Sequence, residues 1–401
     1  MNTLPDFNQE ALTLYDELVR VRRDIHQYPE LGFQEQRTSG LVAESLQQLG
    51  YEVQRGIGQT GVVGILEGSQ PGPTVMLRFD MDALPIQELS QSVYASKMTG
   101  IMHACGHDGH VSMGLGLAKI LSKYQSDLAG TVKLVFQPAE EGLGGAFAMI
   151  ADGVLEDPRP DVVFAMHLWT GVPYGKIRTA VGPTMAASSV FTLTVQGKGG
   201  HGAAPHESID PILAAAHIVT ALQSIVSRNV DPQESVVVTV GQMTAGTTFN
   251  VIPDHAILKG TVRSYNNEIH HIIYRRILEM ARNVSTAFRC SANMETVAIV
   301  PAVVNAVEPT EVVNAAARRI VGSENLVHSR EMASEDMGYI LEEVPGCYFF
   351  VGARNEERGY TFPHHHPQFD FDERAMVNGV ATMAYAAAHY LFNHKTSSTT
   401  N

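Results

Sequence analysis

The residues best suited to chemistry lie in Met102-His103-Ala104-Cys105-Gly106-His107-Asp108-Gly109-His110. Eight residues from His103 hold three histidines, one thiol and one carboxylate. A cysteine with a histidine two residues on is a borderline-soft donor pair suited to Zn, Co, Ni or Mn. Further donors stand far along the chain: Asp80 and Asp82, Glu140-Glu141, His167, and the run His364-His365-His366. A binuclear hydrolytic centre needs several N, O or S ligands from different elements, and a base that ligates nothing to take a proton from water. Cys105, His107, Glu141, His167 and one histidine of the run supply such a set, and Glu140, beside a ligand, is placed to be the base. Singly, each has an ordinary explanation: a solvated turn for the glutamates, a satisfied core histidine for His167, a polar loop for the run. Jointly they ask for a common cause.

That cause is their position relative to strands. Thr74 to Phe79 reads as a strand running into Asp80-Met81-Asp82, Thr131 to Gln137 as one ending in Pro138-Ala139-Glu140-Glu141-Gly142, and Asp161 to Met166 as one ending in His167. The cysteine cluster is expected in a loop, followed by a helix from about Val111 to Tyr124. Open α/β sheets bind ligands at the carboxyl ends of their strands. Upstream, Asn8 to Gln27 has Leu12, Tyr15, Leu18, Val19, Arg22 and Ile25 at helical spacing, with Pro29 and Gly32 as stops. A helix over Gln36 to Leu49 and strands over Tyr51 to Arg55 and Val62 to Glu67 follow.

The texture changes after Gly182. Strand Ser188 to Gln196, helix Ile209 to Arg228, strands Ser235 to Thr244 and His255 to Ser264, helix Asn267 to Phe288 and strand Ser291 to Val300 give β-α-β-β-α-β, the ferredoxin-like order. Ile212, Leu213, Ala216, Val219, Leu222 and Ile225 are the expected buried face of its first helix. The chain thus reads as an α/β catalytic domain of residues 1–183 and 300–401, with an inserted domain of 184–299. Helix Glu311 to Val321, strand Tyr348 to Val351 and helix Glu373 to Phe392 complete the host. The Ser/Thr-rich tail from Lys395 is expected to be disordered.

Composition narrows the function classes. The net charge is -14 over 401 residues, and no cluster of Lys or Arg is there to follow a phosphate backbone, so nucleic acid is not the expected partner. Met1 to Glu10 lacks a basic region before an apolar core, and no apolar run is long enough to span a bilayer. Three cysteines, Cys105, Cys290 and Cys347, are an odd and scattered set. That favours a reducing cytoplasm over a disulfide framework.

Arg78-Phe79-Asp80-Met81-Asp82-Ala83-Leu84-Pro85, Met102 to His110, Gln137-Pro138-Ala139-Glu140-Glu141, Met166-His167 and His365-His366-Pro367 together resemble the M20 metallopeptidase-like amidohydrolases. The subgroup contains N-acyl-amino-acid amidohydrolases, hippurate hydrolases and indole-acetyl-amino-acid hydrolases. Arg22 to Leu31 and Gly200-His201-Gly202-Ala203-Ala204-Pro205-His206 match as well, and the resemblance covers residues 11 to 393. It implies a zinc-peptidase-like catalytic domain and an inserted lid that dimerises. It also implies two divalent ions (Mn, Zn, Co or Ni) held by Cys105, His107, Glu141, His167 and His365, with Glu140 as general base. The family spacing His-X-Pro selects His365, with His364 and His366 as alternatives. Where the wider superfamily has His-X-Asp, this chain has Asp80 and Asp82, which are expected behind the ligands. His201 resembles the family's oxyanion donor, supplied by a partner subunit.

The expected reaction is hydrolysis of the amide bond of N-acyl amino acids by a homodimer or higher homo-oligomer. The ions would bring a water's pKa toward ~7, and Glu140 would act as base and then acid. Asn250 and Arg263 would hold the substrate, the guanidinium fork matching a free α-carboxylate. Other readings are a dipeptidase or deacetylase of the same fold, a binuclear phosphatase or nuclease, and a non-catalytic metal-binding scaffold. No basic cradle supports the phosphatase, and retention of Glu140 argues against the scaffold.

Overall fold

Val75-Met76-Leu77 is an apolar run with no alternation, the pattern of a strand covered on both faces. In the computed structural model, which describes residues 4–296 and 299–392, it forms the middle of an eight-stranded sheet. The strands are β1 (Glu52–Ile57), β2 (Gly61–Glu67), β3 (Gln70–Asp80), β4 (Ala129–Gln137), β5 (Val162–Pro173) and β6 (Ile177–Thr179), with Leu326–His328 and Gly346–Arg354. Their order is β1-β2-β4-β3-β5, then Gly346–Arg354, β6 and Leu326–His328. β4, β3, β5 and Gly346–Arg354 run parallel, so their carboxyl ends share one edge. Asp80 faces Gln137 across β3 and β4, and Arg78 faces Ala165 across β3 and β5. Two residues further on, the same register brings Asp80 level with His167.

Helices Tyr15–Gln27, His107–Lys123 and Ala375–Leu391 bury one core with the sheet, built on Leu18, Leu117, Phe79, Phe136 and Val380. Helix His107–Lys123 lies close against the sheet because Gly114 has no side chain. A Cβ there would come within 2.8 Å of both Phe79 and Phe136.

Several sequence expectations are corrected. The cysteine cluster is not all loop: Gly106, at φ 89°, is the cap, and His107, Asp108 and His110 form the first turn of the helix. Gly109 and the polar residues hide that turn from a hydrophobic period. Likewise β5 does not end at His167 but continues to Pro173. The first helix is two, Phe7–Thr13 and Tyr15–Gln27, and the break at Leu14 leaves Leu12 exposed. Arg22 is on the buried face as expected, but as a fully buried ion partner.

The chain divides into a larger unit of residues 1–182, 304–330 and 339–401, and a smaller one of Pro183–Val303 and Glu331–Gly338. In the smaller unit, strands Val236–Ala245, His255–Ser264, Ala187–Gln196 and Ser291–Thr296 lie in that order, all antiparallel. Helices Pro211–Asn229 and Asn267–Ala287 share its core. The expected strand over Ser291 to Val300 is described as far as Thr296; residues 297 and 298, and the tail from Lys395, lie outside the described residues. Pro211–Asn229 is long and apolar enough by composition to cross a membrane, yet Ala214, Ala215, Ile218, Leu222 and Ile225 pack in the core. The expected face holds at Val219, Leu222 and Ile225 but not in the first turn, where Ile212 and Leu213 are exposed.

Candidate metal centre

The shared edge of β3, β4 and β5 carries Asp80 and Asp82, Glu140 and Glu141, and His167, and the helix from His107 begins there. Ligand atoms of Cys105, His107 and Glu141 lie within 4.8 Å of one another, and so do those of Cys105, His167 and His364. One thiol therefore belongs to both groups, with its Sγ 3.4 Å from His167 Nε2.

The imidazoles are set up to ligate through Nε2. His107 Nδ1 lies 3.0 Å from Asp82 O and 3.2 Å from Asp82 Oδ1, so it donates there. Its Nε2 is buried without a hydrogen-bond partner. His167 Nδ1 donates to Leu168 O at 2.7 Å, which leaves its Nε2 lone pair toward Cys105. Outer hydrogen bonds of this kind fix the tautomer of metal-binding histidines.

Charge points the same way. Burial and the carboxylates of Glu141, Glu140 and Asp80 push the Cys105 thiol well above its usual range. Burial opposes charging of His107, but Asp80 and Asp82 overcome it and raise its pKa to about 10. His167 is pushed well down, by burial and by His110 and His364. A buried site this rich in acceptors holds protons only in place of cations, and its thiol ionises when a metal displaces them. The donor set thus fits divalent transition metals.

Asp82 stands behind His107, at its Nδ1, whereas Asp80 lies on the other side, 3.7 Å from its Nε2. Asp80 accepts from Arg78 Nη1 at 2.6 Å and from His110 Nδ1 at 2.5 Å. His110, to which sequence reasoning gave no role, accepts the Leu168 N–H at Nε2, at 2.9 Å. It braces β3 to β5 with both ring nitrogens engaged. Asp82 Oδ2 accepts the Glu141 N–H at 3.0 Å. A second missed brace starts at Arg22, whose Nε meets Asp108 at 2.7 Å while Nη2 meets Asp370 at 2.7 Å. Asp108 follows His107 and Asp370 follows the histidine run, so one guanidinium ties two donor-bearing segments.

The run itself separates by geometry. His364 stacks on Trp169, with centroids 4.3 Å apart. Its Nε2 lies 2.9 Å from Leu168 O and its Nδ1 3.3 Å from Thr170 Oγ1, so both nitrogens are engaged. His366 stacks on Phe362. His365, at φ 64°, donates its N–H to Ala104 O at 2.8 Å and places Nε2 3.3 Å from Glu141 Oε1. Glu140 is half-buried at the same turn and close enough to Cys105 to raise its thiol.

In the smaller unit, Gly200–His201 pairs with Val251–Ile252, and Gly202 N donates to Asn250 O at 2.9 Å, so His201 and Asn250 are neighbours. Both are exposed. His201 Nδ1 accepts the Ala203 N–H at 3.0 Å, which puts the ring proton on Nε2. Arg263 is half-buried rather than a free surface cation, and its Nη1 donates to Ser334 Oγ at 2.6 Å. It pairs with Ser188, whereas His255, beside the His201 ribbon, pairs with Gln196. Eight strand residues, roughly 27 Å at ~3.4 Å each, separate the two ends.

Residues 76–389 match the sequence profile of peptidase family M20/M25/M40. The hippurate hydrolase of Campylobacter jejuni is 40% identical, over 98% of this chain and 100% of its own. Thermostable carboxypeptidase 1 of Saccharolobus solfataricus is 39% identical, over 97% and 99%. The Bacillus subtilis YxeP protein, a dinuclear metal-binding peptidase from the M20 family, superposes with a TM-score of 0.82 at 32% identity, covering 95% of this chain and 99% of that one.

Proposed function

Since the chain belongs to peptidase family M20/M25/M40 and is an amidohydrolase, we propose that it hydrolyses N-acyl amino acids to a carboxylic acid and a free amino acid. Two divalent ions, of Mn, Zn, Co or Ni, would be held by Cys105, His107, Glu141, His167 and His365. The observation that carries this reading is the Cys105 thiol, which lies with His107 and Glu141 on one side and 3.4 Å from His167 Nε2 on the other. His365 is preferred over His364 because both ring nitrogens of His364 are engaged.

When bound, the ions supply Lewis-acid activation of water and of the scissile carbonyl. Glu140 takes a proton from the water as its oxygen bonds to the carbonyl carbon, and returns it to the amide nitrogen as the C–N bond breaks. Asp82 orients His107 from its Nδ1, and Asp80 holds negative charge 3.7 Å from its Nε2. His201, with its proton on Nε2, donates to the oxyanion, Asn250 beside it contacts the substrate, and the Arg263 fork takes the α-carboxylate.

Arg263 stands at one end of the four-stranded sheet, and the separate two-stranded ribbon of His201 follows the other end, where His255 pairs with Gln196. We assign His201 with Asn250 to the substrate of a second copy, in a homodimer joined through the inserted lid. Three buried free cysteines suit a reducing cytoplasm.

The test is amine release from acetyl-, benzoyl- and indole-acetyl-amino acids and from dipeptides, with and without chelator. The dipeptides answer a second reading, peptidase activity, which likeness to a carboxypeptidase supports. Chelator-sensitive release from the acyl amino acids is expected, restored by one of the four metals. Turnover by a verified metal-free enzyme, or cleavage of dipeptides alone, would overturn the proposal.

A further inference from the structure

Glu35 belongs to none of the metal-ligating motifs, yet its carboxylate is fully buried below the turn that carries Glu140 and Glu141. It stands at the N-cap of helix Gln36–Gln48 but does not cap it. Glu30 does so instead, accepting from Arg37 N at 2.8 Å and Thr38 N at 2.9 Å. Glu35 is thereby left to reach elsewhere. Its Oε1 accepts the Ala139 N–H at 2.9 Å and its Oε2 the Thr60 hydroxyl at 2.5 Å.

Ala139 is the residue before Glu140 and is left-handed, at φ 53°. That conformation is unfavourable for alanine and free for glycine. Gly32 packs directly on it: a Cβ at Gly32 would lie 3.0 Å from both Ala139 Cα and Cβ. The same segment also braces Asp82 from behind, through the Ala83 N–H to Glu30 O at 2.8 Å. A buried carboxylate on the N–H of a residue in a disfavoured conformation supplies what the turn lacks by itself.

We propose that Glu35 is a positioning residue for amide hydrolysis, holding Ala139 left-handed so that Glu140 points to the reacting water. This rests on the reading of Glu140 as the base. Glu141 has a separate anchor through Asp82, so loss of Glu35 should misdirect Glu140 more than it disturbs the metals.

The experiment compares Glu35→Gln, Glu35→Ala, Ala139→Gly and the Glu35→Ala/Ala139→Gly pair, in the metal-loaded full chain with N-benzoylglycine or whichever panel substrate is turned over fastest. Glu35→Gln keeps an acceptor for Ala139 N–H and should stay within about 3-fold of wild type in kcat. Glu35→Ala should lose about 30-fold or more in kcat with metal content and KM little changed, since small misplacement of a reacting group is costly. Ala139→Gly alone should be nearly silent, yet should return about 10-fold in the Glu35→Ala background by removing the conformational penalty. A merely structural role would lower Tm without this coupling. Should Glu35→Ala fail to fold, Glu35→Asp, one methylene short of the Ala139 amide, carries the same test.

Unchanged kcat in Glu35→Ala, or no recovery on adding Ala139→Gly, overturns the proposal. Failure of the underlying reading shows separately, as retained activity in Glu140→Gln.

Discussion

The two regions assigned to the reaction are built by opposite rules. In the larger unit Cys105, His107 and His167 are buried, with His365 the exposed exception, and the segments are braced from behind: His107 by Asp82, β3 to β5 by His110, and the histidine run to helix His107–Lys123 by Arg22. In the smaller unit His201 and Asn250 sit exposed on a two-residue ribbon with few partners. Metal ions tolerate little error in donor placement, so their ligands come preorganised. A donor to a transient oxyanion gains from a ribbon that adjusts as substrate enters.

The difference is tested most severely at Cys105. Cys105→Ala should lose metal from both positions and at least ~10³-fold in kcat/KM, because the shared ligand is gone and the outer braces have nothing to orient. Retention of two ions by elemental analysis would break the assignment of a shared thiol. Glu140→Gln should keep both ions and lose about 10²- to 10⁴-fold in kcat; equal metal loss in the two variants would make Glu140 a ligand instead.

On the ribbon the effect should be purely kinetic. His201→Ala should lower kcat by about 10²-fold with metal content and Tm unchanged. Mixed with Glu140→Gln under subunit exchange, it should regain activity, because one cleft of the heterodimer carries neither lesion. No recovery despite demonstrated exchange would place His201 in its own chain's cleft or outside the reaction.

The smallest expected effect is the pH response of the braces. His26 joins the Arg22 brace, its Nδ1 2.8 Å from Asp108; burial and Arg22 oppose its charging, but Asp108 and Glu88 overcome them and raise its pKa from 6.5 to about 9. A pKa raised by folding stabilises fully below the unfolded value and loses that contribution as pH climbs through the folded one. Wild-type Tm should therefore decline between pH 6.5 and about 9, more steeply than in His26→Gln. Parallel Tm curves would remove His26 from the brace.

What was legible in the sequence followed from periodicity and residue type. Strands β3 and β4 and the βαββαβ order of the smaller unit read directly from apolar runs and turns, and the candidate metal donors were picked by their chemistry. The braces did not, because their partners are far apart in sequence: Arg22 with Asp370, Glu35 with Ala139, His110 with the Leu168 amide. Nothing local marks an alanine as left-handed, and a helix opening on Gly106-His107-Asp108-Gly109 shows no hydrophobic period. The distinction between His364 and His365 likewise rests on what Leu168 O and Thr170 occupy, a tertiary fact.

Trp169 is the chain's only tryptophan. It stacks on His364 and meets the edge of the His167 ring at a centroid distance of 5.1 Å. The protein thus carries a single indole, which can be excited selectively over its tyrosines, in contact with a proposed ligand. Open-shell Mn, Co or Ni in that neighbourhood would quench its emission, whereas closed-shell Zn, with no redox or d–d states to accept the excitation, would leave it bright. Native indole fluorescence should therefore report both the filling of the centre and the electronic class of the metal that fills it, without label or substrate.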